Sequence, residues 1–145
     1  MTGIEIENHL EKLKEDSERQ FGIMTPQHML EHLILTFKLS IGKIEIPEFE
    51  PNEKQLSYKE MLLNTEMVFP KGVRAPGLPE DLLPLRFDSL LITKSKFKDA
   101  LEEFHTYFQA NPYNLTFHPR FGKLNYEEWQ KFHDKHLTHH LSQFK

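Results

Sequence analysis

The sequence predicts an all-α chain, a single domain over residues 1–145 built as a four-helix bundle with a long irregular connection between the second and third helices. Three observations lead there. Apolar residues recur at helical spacing in separate stretches. Helix-start residues stand just before several of them, as in Thr25-Pro26 and Asn125. The prolines concentrate between the second and third stretches, and no alternating pattern marks a strand.

Residues 4–20 read as a polar, amphipathic helix. Ile4, Leu10 and Leu13 supply a thin apolar stripe, and Phe21-Gly22 breaks the helix. In the second helix Thr25 caps the first free amides and Pro26 sits where its missing N–H costs nothing. That helix runs to Gly42, a residue suited to its end. Gln27, Glu31 and Lys38 form its only polar arc, with Glu31 expected in solvent or behind a ligand, and His32 lies off that arc beside His28 and Leu39. A helix this apolar belongs at the centre of its bundle.

Residues 43–88 are the least regular part. SYKEMLLNTEM is compatible with a short helix. FPKGVRAPGLPEDLLP, with four prolines and two glycines, reads as a stiff extended loop, either a lid over a site or a surface connector. A third long helix starts at Thr93 or Ser95 and ends at Asn111-Pro112, with Phe97, Ala100, Leu101, Phe104 and Phe108 on its apolar face. TFHPRFGKL is a turn region. Asn125 caps the last helix, where Glu127 and Glu128 favour the positive end of the helix dipole.

Composition excludes several functions. The net charge is −4 and the basic residues are scattered, so nothing favours nucleic acid or an anionic membrane. No apolar run approaches the roughly 20 residues that span a bilayer, and the N-terminus lacks the apolar core of a signal peptide. A cytoplasmic protein is expected. With no cysteine, disulfides, thiolate ligands and a cysteine nucleophile are absent, and any thiol chemistry must use a thiol brought by a cosubstrate.

The nine histidines are unevenly placed, four of them between His133 and His140. On a helical projection His133, His136 and His140 fall within an arc of about 60° on the face that carries Tyr126, Trp129, Leu137 and Phe144, with His139 near the edge. Buried imidazoles need partners for a donor and a lone pair, and clustered imidazolium ions repel. A divalent metal resolves both problems by accepting several lone pairs. His136 and His140 are one turn apart and can converge on one ion. A third ligand must come from another helix, and His32 is the best placed. Hydrogen-bonded core histidines are the alternative reading. His133, one turn before His136, is the candidate proton shuttle, with a plain core histidine as its alternative. Gln143, one turn after His140, can orient a ligand imidazole or lie on the surface. Arg74 and Arg120 are loop candidates for holding an anionic substrate.

Two segments carry a family resemblance. FGIMTPQHMLEHL resembles the second-helix signature of the DUF1569 branch of the DinB/YfiT-like superfamily, and HPRFGKLNYEEWQKFHDKHLTHHLSQF resembles that branch's C-terminal signature. The resemblance implies a four-helix bundle that dimerises and binds nickel or zinc through three histidines. One ligand comes from a His-Leu pair in the second helix, here His32-Leu33, and two come from an HxxxH in the last, here His136 and His140. It also implies a small-molecule substrate and an activity either as a metal-dependent hydrolase or as a thiol-dependent S-transferase. The competing function is a metal-stabilised dimeric domain with binding or regulatory duties and no turnover.

Overall fold

The computed structural model describes residues 1–71 and 82–144. Within them the chain forms five helices and a small hairpin: α1 (Gly3–Lys12), α2 (Pro26–Ser40), α3 (Glu53–Asn64), α4 (Leu90–Ala110), β1 (Thr116–His118), β2 (Gly122–Leu124) and α5 (Tyr126–Leu141). The chain is mostly helical, as expected; the fifth helix, α3, is the short one that SYKEMLLNTEM allows, and the small sheet is not announced by the sequence.

The first helix is shorter than its charge pattern suggests. It ends at Lys12, and Leu13 turns to an extended conformation while its N–H bonds back to His9 and Leu10. Beyond Leu13 the stretch to Gln20 holds no apolar residue, so there is nothing to pack. Ser17 Oγ accepts the Lys14 N–H, and Lys94 Nζ takes the Leu13 carbonyl, so the end is satisfied by side chains. The buried stripe is Ile6, Leu10 and Leu13, while Ile4 is exposed.

The second helix follows its caps. Thr25 Oγ1 accepts the His28 N–H, and Gly42 adopts φ +77°. The Lys43 and Gly42 amides bond back to the Lys38 and Leu39 carbonyls, the paired bonds of a glycine-terminated helix. α3 starts earlier than SYKEMLLNTEM, because Asn52 and Gln55 exchange side-chain and backbone bonds as a capping box. α4 starts at Leu90 under a Ser89 cap, a few residues before Thr93.

The hairpin occupies the predicted turn region. β1 and β2 are three residues each and pair antiparallel, Thr116 opposite Leu124 and His118 opposite Gly122. Strands this short leave no periodicity to read. The buried His118 ring holds the turn: its Nδ1 accepts the amides of Arg120 at 3.0 Å and Phe121 at 3.2 Å. Replacing His118 with Ala is expected to cost about 1–3 kcal/mol, the penalty of a buried donor left without a partner. Urea denaturation of the two proteins checks it, and equal midpoints would refute the staple.

The core lies where α2, α4 and α5 meet, filled by the fully buried Phe37, Phe97, Phe104, Phe108 and Trp129. Phe37 stands edge-on to Phe97 at 6.0 Å. Trp129 Nε1–H donates to Thr116 Oγ1 at 2.7 Å, whose hydroxyl donates to the Ser40 carbonyl at 2.7 Å, so the indole is buried without an orphan donor. This packing fixes α2 against α5 and sets the faces that carry the histidines opposite one another.

Candidate metal centre

α5 presents its histidines because the Asn125 capping box with Glu128 starts it in a definite phase. Trp129, Phe132 and Leu137 then turn its apolar side inward, and His133, His136 and His140 go in with them. α2 does the same with Leu30, Leu33, Ile34 and Phe37, leaving the half-buried His32 facing α5.

Three histidines meet at one point. His136 Nε2 lies 3.1 Å from His32 Nε2 and 3.0 Å from His140 Nε2. His32, His136 and His140 each offer a ring nitrogen, all within 4.8 Å of one another, and together they could hold a metal ion. Two nitrogens at zinc–imidazole bond length around a tetrahedral ion would stand about 3.3 Å apart, close to the spacing seen.

Hydrogen bonding alone does not account for this convergence. Gln143 Oε1 lies 2.9 Å from His140 Nδ1, and an amide oxygen only accepts, so Nδ1 carries the proton and Nε2 presents a lone pair. His136 Nε2 has one proton at most, and one N–H does not serve two nitrogens on different rings. If it has none, two lone pairs face each other at 3.0 Å. An ion takes all three lone pairs at once. The donor set is therefore one a divalent transition metal fits.

Burial makes the rings poor proton acceptors. It lowers the pKa of His32 to about 4, helped by His139, and that of His140 to about 3, helped by His32 and opposed by the Gln143 bond. His136, wholly enclosed and surrounded by other imidazoles, falls well below the usual value. The rings are neutral at pH 7, the form a metal requires.

Residues 56–145 match the family model described as a protein of unknown function, DUF1569. The chain belongs to the DUF1569 family. No curated protein and no solved structure matches it. In this DUF1569 protein the matched span begins within α3 and runs through α5, hence it holds His136, His140 and Gln143, while His32 and Phe21-Gly22 lie before it.

Other expected residues take different places. His133 is buried but stands outside the group of three and makes no hydrogen bond to it. Its ring packs at 4.2 Å on Phe37, 4.6 Å on Phe104 and 5.4 Å on Trp129. Its Nε2 has no partner among the described residues, nor has His136 Nδ1. His139 lies half-buried between the rings of Phe21 and Phe69. His28 bonds to Thr25 at the start of α2. Arg120 stands over the Tyr58 ring, and Arg74 and most of the expected lid lie outside the described residues.

Two features of the DUF1569 site escape the sequence. Phe69 packs on His136 at 5.5 Å and Phe132 at 5.7 Å, closing one side with apolar surface. It comes from the irregular connection, where no pattern singles it out. Glu31, expected in a polar arc, is only 5% exposed. Its carboxylate accepts the Arg86 N–H at 2.7 Å, the Phe87 N–H at 3.4 Å and the Gln27 amide at 3.0 Å, and its carbonyl accepts Arg86 Nη2 at 2.8 Å. Burial pushes its pKa up, but these donors outweigh burial and hold it below the ordinary carboxylate value. Glu31 thus ties the far end of the connection to α2, one residue from His32.

Proposed function

We propose that this protein is a metal-dependent enzyme acting on a small molecule, a DinB/YfiT-like bundle whose His32, His136 and His140 bind one nickel or zinc ion. The observation that carries the reading is the meeting of three Nε2 atoms from two helices, with Gln143 fixing the tautomer of His140. When bound, an ion on three neutral imidazoles keeps its full charge and an open position, and supplies Lewis acidity to a water or to the thiol of a cosubstrate. Hydrolysis and thiol-dependent S-transfer are the two reactions this suits.

The chain's own groups divide the remaining work. Gln143 holds the Nδ1 proton of His140 and so aims its other nitrogen. Phe69 and Phe132 keep water from one flank of His136, while half-buried His32 marks the side open to a substrate. His133 enters as the proton relay. It stands one turn before His136, buried and neutral among Phe37, Phe104 and Trp129, and its Nε2, without a partner among the described residues, is the atom proposed to pass a proton. A cytoplasmic location is part of the proposal; no helix among the described residues is long and apolar enough to cross a membrane.

The experiment is reconstitution with nickel or zinc, followed by ion counting and a panel of ester, amide and thiol-transfer substrates. One ion per chain is expected, with turnover abolished by a chelator and restored by metal. His133→Gln should keep the ion and lose turnover. A tightly held ion with no exchangeable water and no turnover would favour the non-catalytic, metal-stabilised domain. The protein is also proposed to form a homodimer; light scattering at micromolar concentration should give twice the chain mass, and a single-chain mass would refute it.

A further inference from the structure

Gly22, in the loop after α1, touches the residue that orients His140. It adopts φ +79°, and a Cβ placed there would stand 2.7 Å from Gln143 Nε2, closer than real carbon contacts allow. Gln143 is only 5% exposed and is held at both ends. Its carbonyl accepts the Gln20 N–H at 2.7 Å, next to a backbone bridge between Arg19 and Phe144, and its Oε1 faces His140 Nδ1 at 2.9 Å. With the main chain tied, an added carbon at residue 22 is relieved by swinging the amide, and that swing breaks the bond to His140.

We propose that Gly22 is a positioning residue of the metal centre, required because only a residue without a side chain leaves Gln143 room to hold the His140 ring. The inference rests on the reading that His32, His136 and His140 bind an ion. It joins the Phe21-Gly22 break to Gln143, two segments more than a hundred residues apart in the chain.

The structure supplies its own control. Gly42 has nearly the same backbone, φ +77°, with nothing within 4 Å of an added Cβ. Gly22→Ala and Gly42→Ala therefore share the strain of an L-residue at positive φ and differ in the contact with Gln143. Cobalt binding, followed by competition with a chromophoric chelator and by the visible spectrum of the cobalt protein, is compared with thermal melting of the metal-free forms. Both variants should melt earlier, Gly22→Ala by more, because it also breaks the buried bond between Gln143 and His140. Only Gly22→Ala should weaken cobalt, by about 10- to 100-fold, and alter its visible bands. Gln143→Ala should weaken it similarly, and adding Gly22→Ala to that variant should change the affinity no further. Cobalt bound by Gly22→Ala as tightly as by Gly42→Ala would overturn the proposal, and so would an unchanged affinity in Gln143→Ala if Gly22→Ala does not fold. A wild-type chain that binds no cobalt would instead remove the metal reading beneath it.

Discussion

His140→Ala is expected to lower metal affinity by more than about 100-fold, while His139→Ala leaves it almost unchanged. Loss of a group behind a ligand already costs about 10- to 100-fold, and loss of the ligand itself costs more. The two residues are adjacent in sequence but diverge in space. His140 Nε2 lies 3.0 Å from His136 Nε2, whereas the His139 ring is packed between Phe21 and Phe69. Ion content per purified chain, together with a competition titration, separates them. Equal loss in both would mean that the helix presents a different face from the one described.

The second large effect is in acid. His118, His133, His136 and His140 are buried, and burial depresses all four, His118 and His140 to about 3 and the others well below the usual value. Unfolded, each would take up a proton near pH 6.5. Below that pH the unfolded chain binds more protons than the native one, so stability falls with pH until the native rings titrate as well. At pH 5 the rings of His118 and His140, neutral in the fold, each cost about 2 kcal/mol, and the depressed His133 and His136 act in the same direction. That is a large share of the stability of many domains. The metal-free protein should therefore unfold between about pH 6 and 4.5, as followed by circular dichroism. Saturating nickel or zinc should move the midpoint to lower pH until protons displace the ion. A metal-free chain still folded at pH 4 would show that the native rings accept protons far more readily than their burial indicates.

Much of the site is legible before any coordinates. The i, i+4 spacing of His136 and His140 sets their rings on one face, and the arc containing Trp129 marks that face as inward. The caps at Thr25 and Asn125 are read correctly because they depend on chemistry within four residues. What fails is what depends on distant partners. Glu31 belongs to the polar arc of its own helix, and only the arrival of Arg86 and Phe87, 55 and 56 residues later, makes it a buried acceptor. Ile4 is a different kind of miss: Ile6, Leu10 and Leu13 follow the i, i+4, i+7 spacing of one helical face and Ile4 projects to the opposite side, so phase alone marks Ile6 as the covered residue. The hairpin is missed because an imidazole, a glycine and two three-residue strands make it, with no alternation to detect.

His32 and His136 stand 104 positions apart along the chain, yet their ring nitrogens nearly touch. An unfolded chain gripping one ion with both would first have to close a loop of that length, an entropic penalty of about 4–5 kcal/mol at room temperature. The denatured chain would still offer its neighbouring C-terminal histidines without that penalty, so the ion would favour the fold chiefly through the third ligand, His32. In a polypeptide without cysteine such a centre would be a removable clasp, its grip set by how much free metal the surroundings offer.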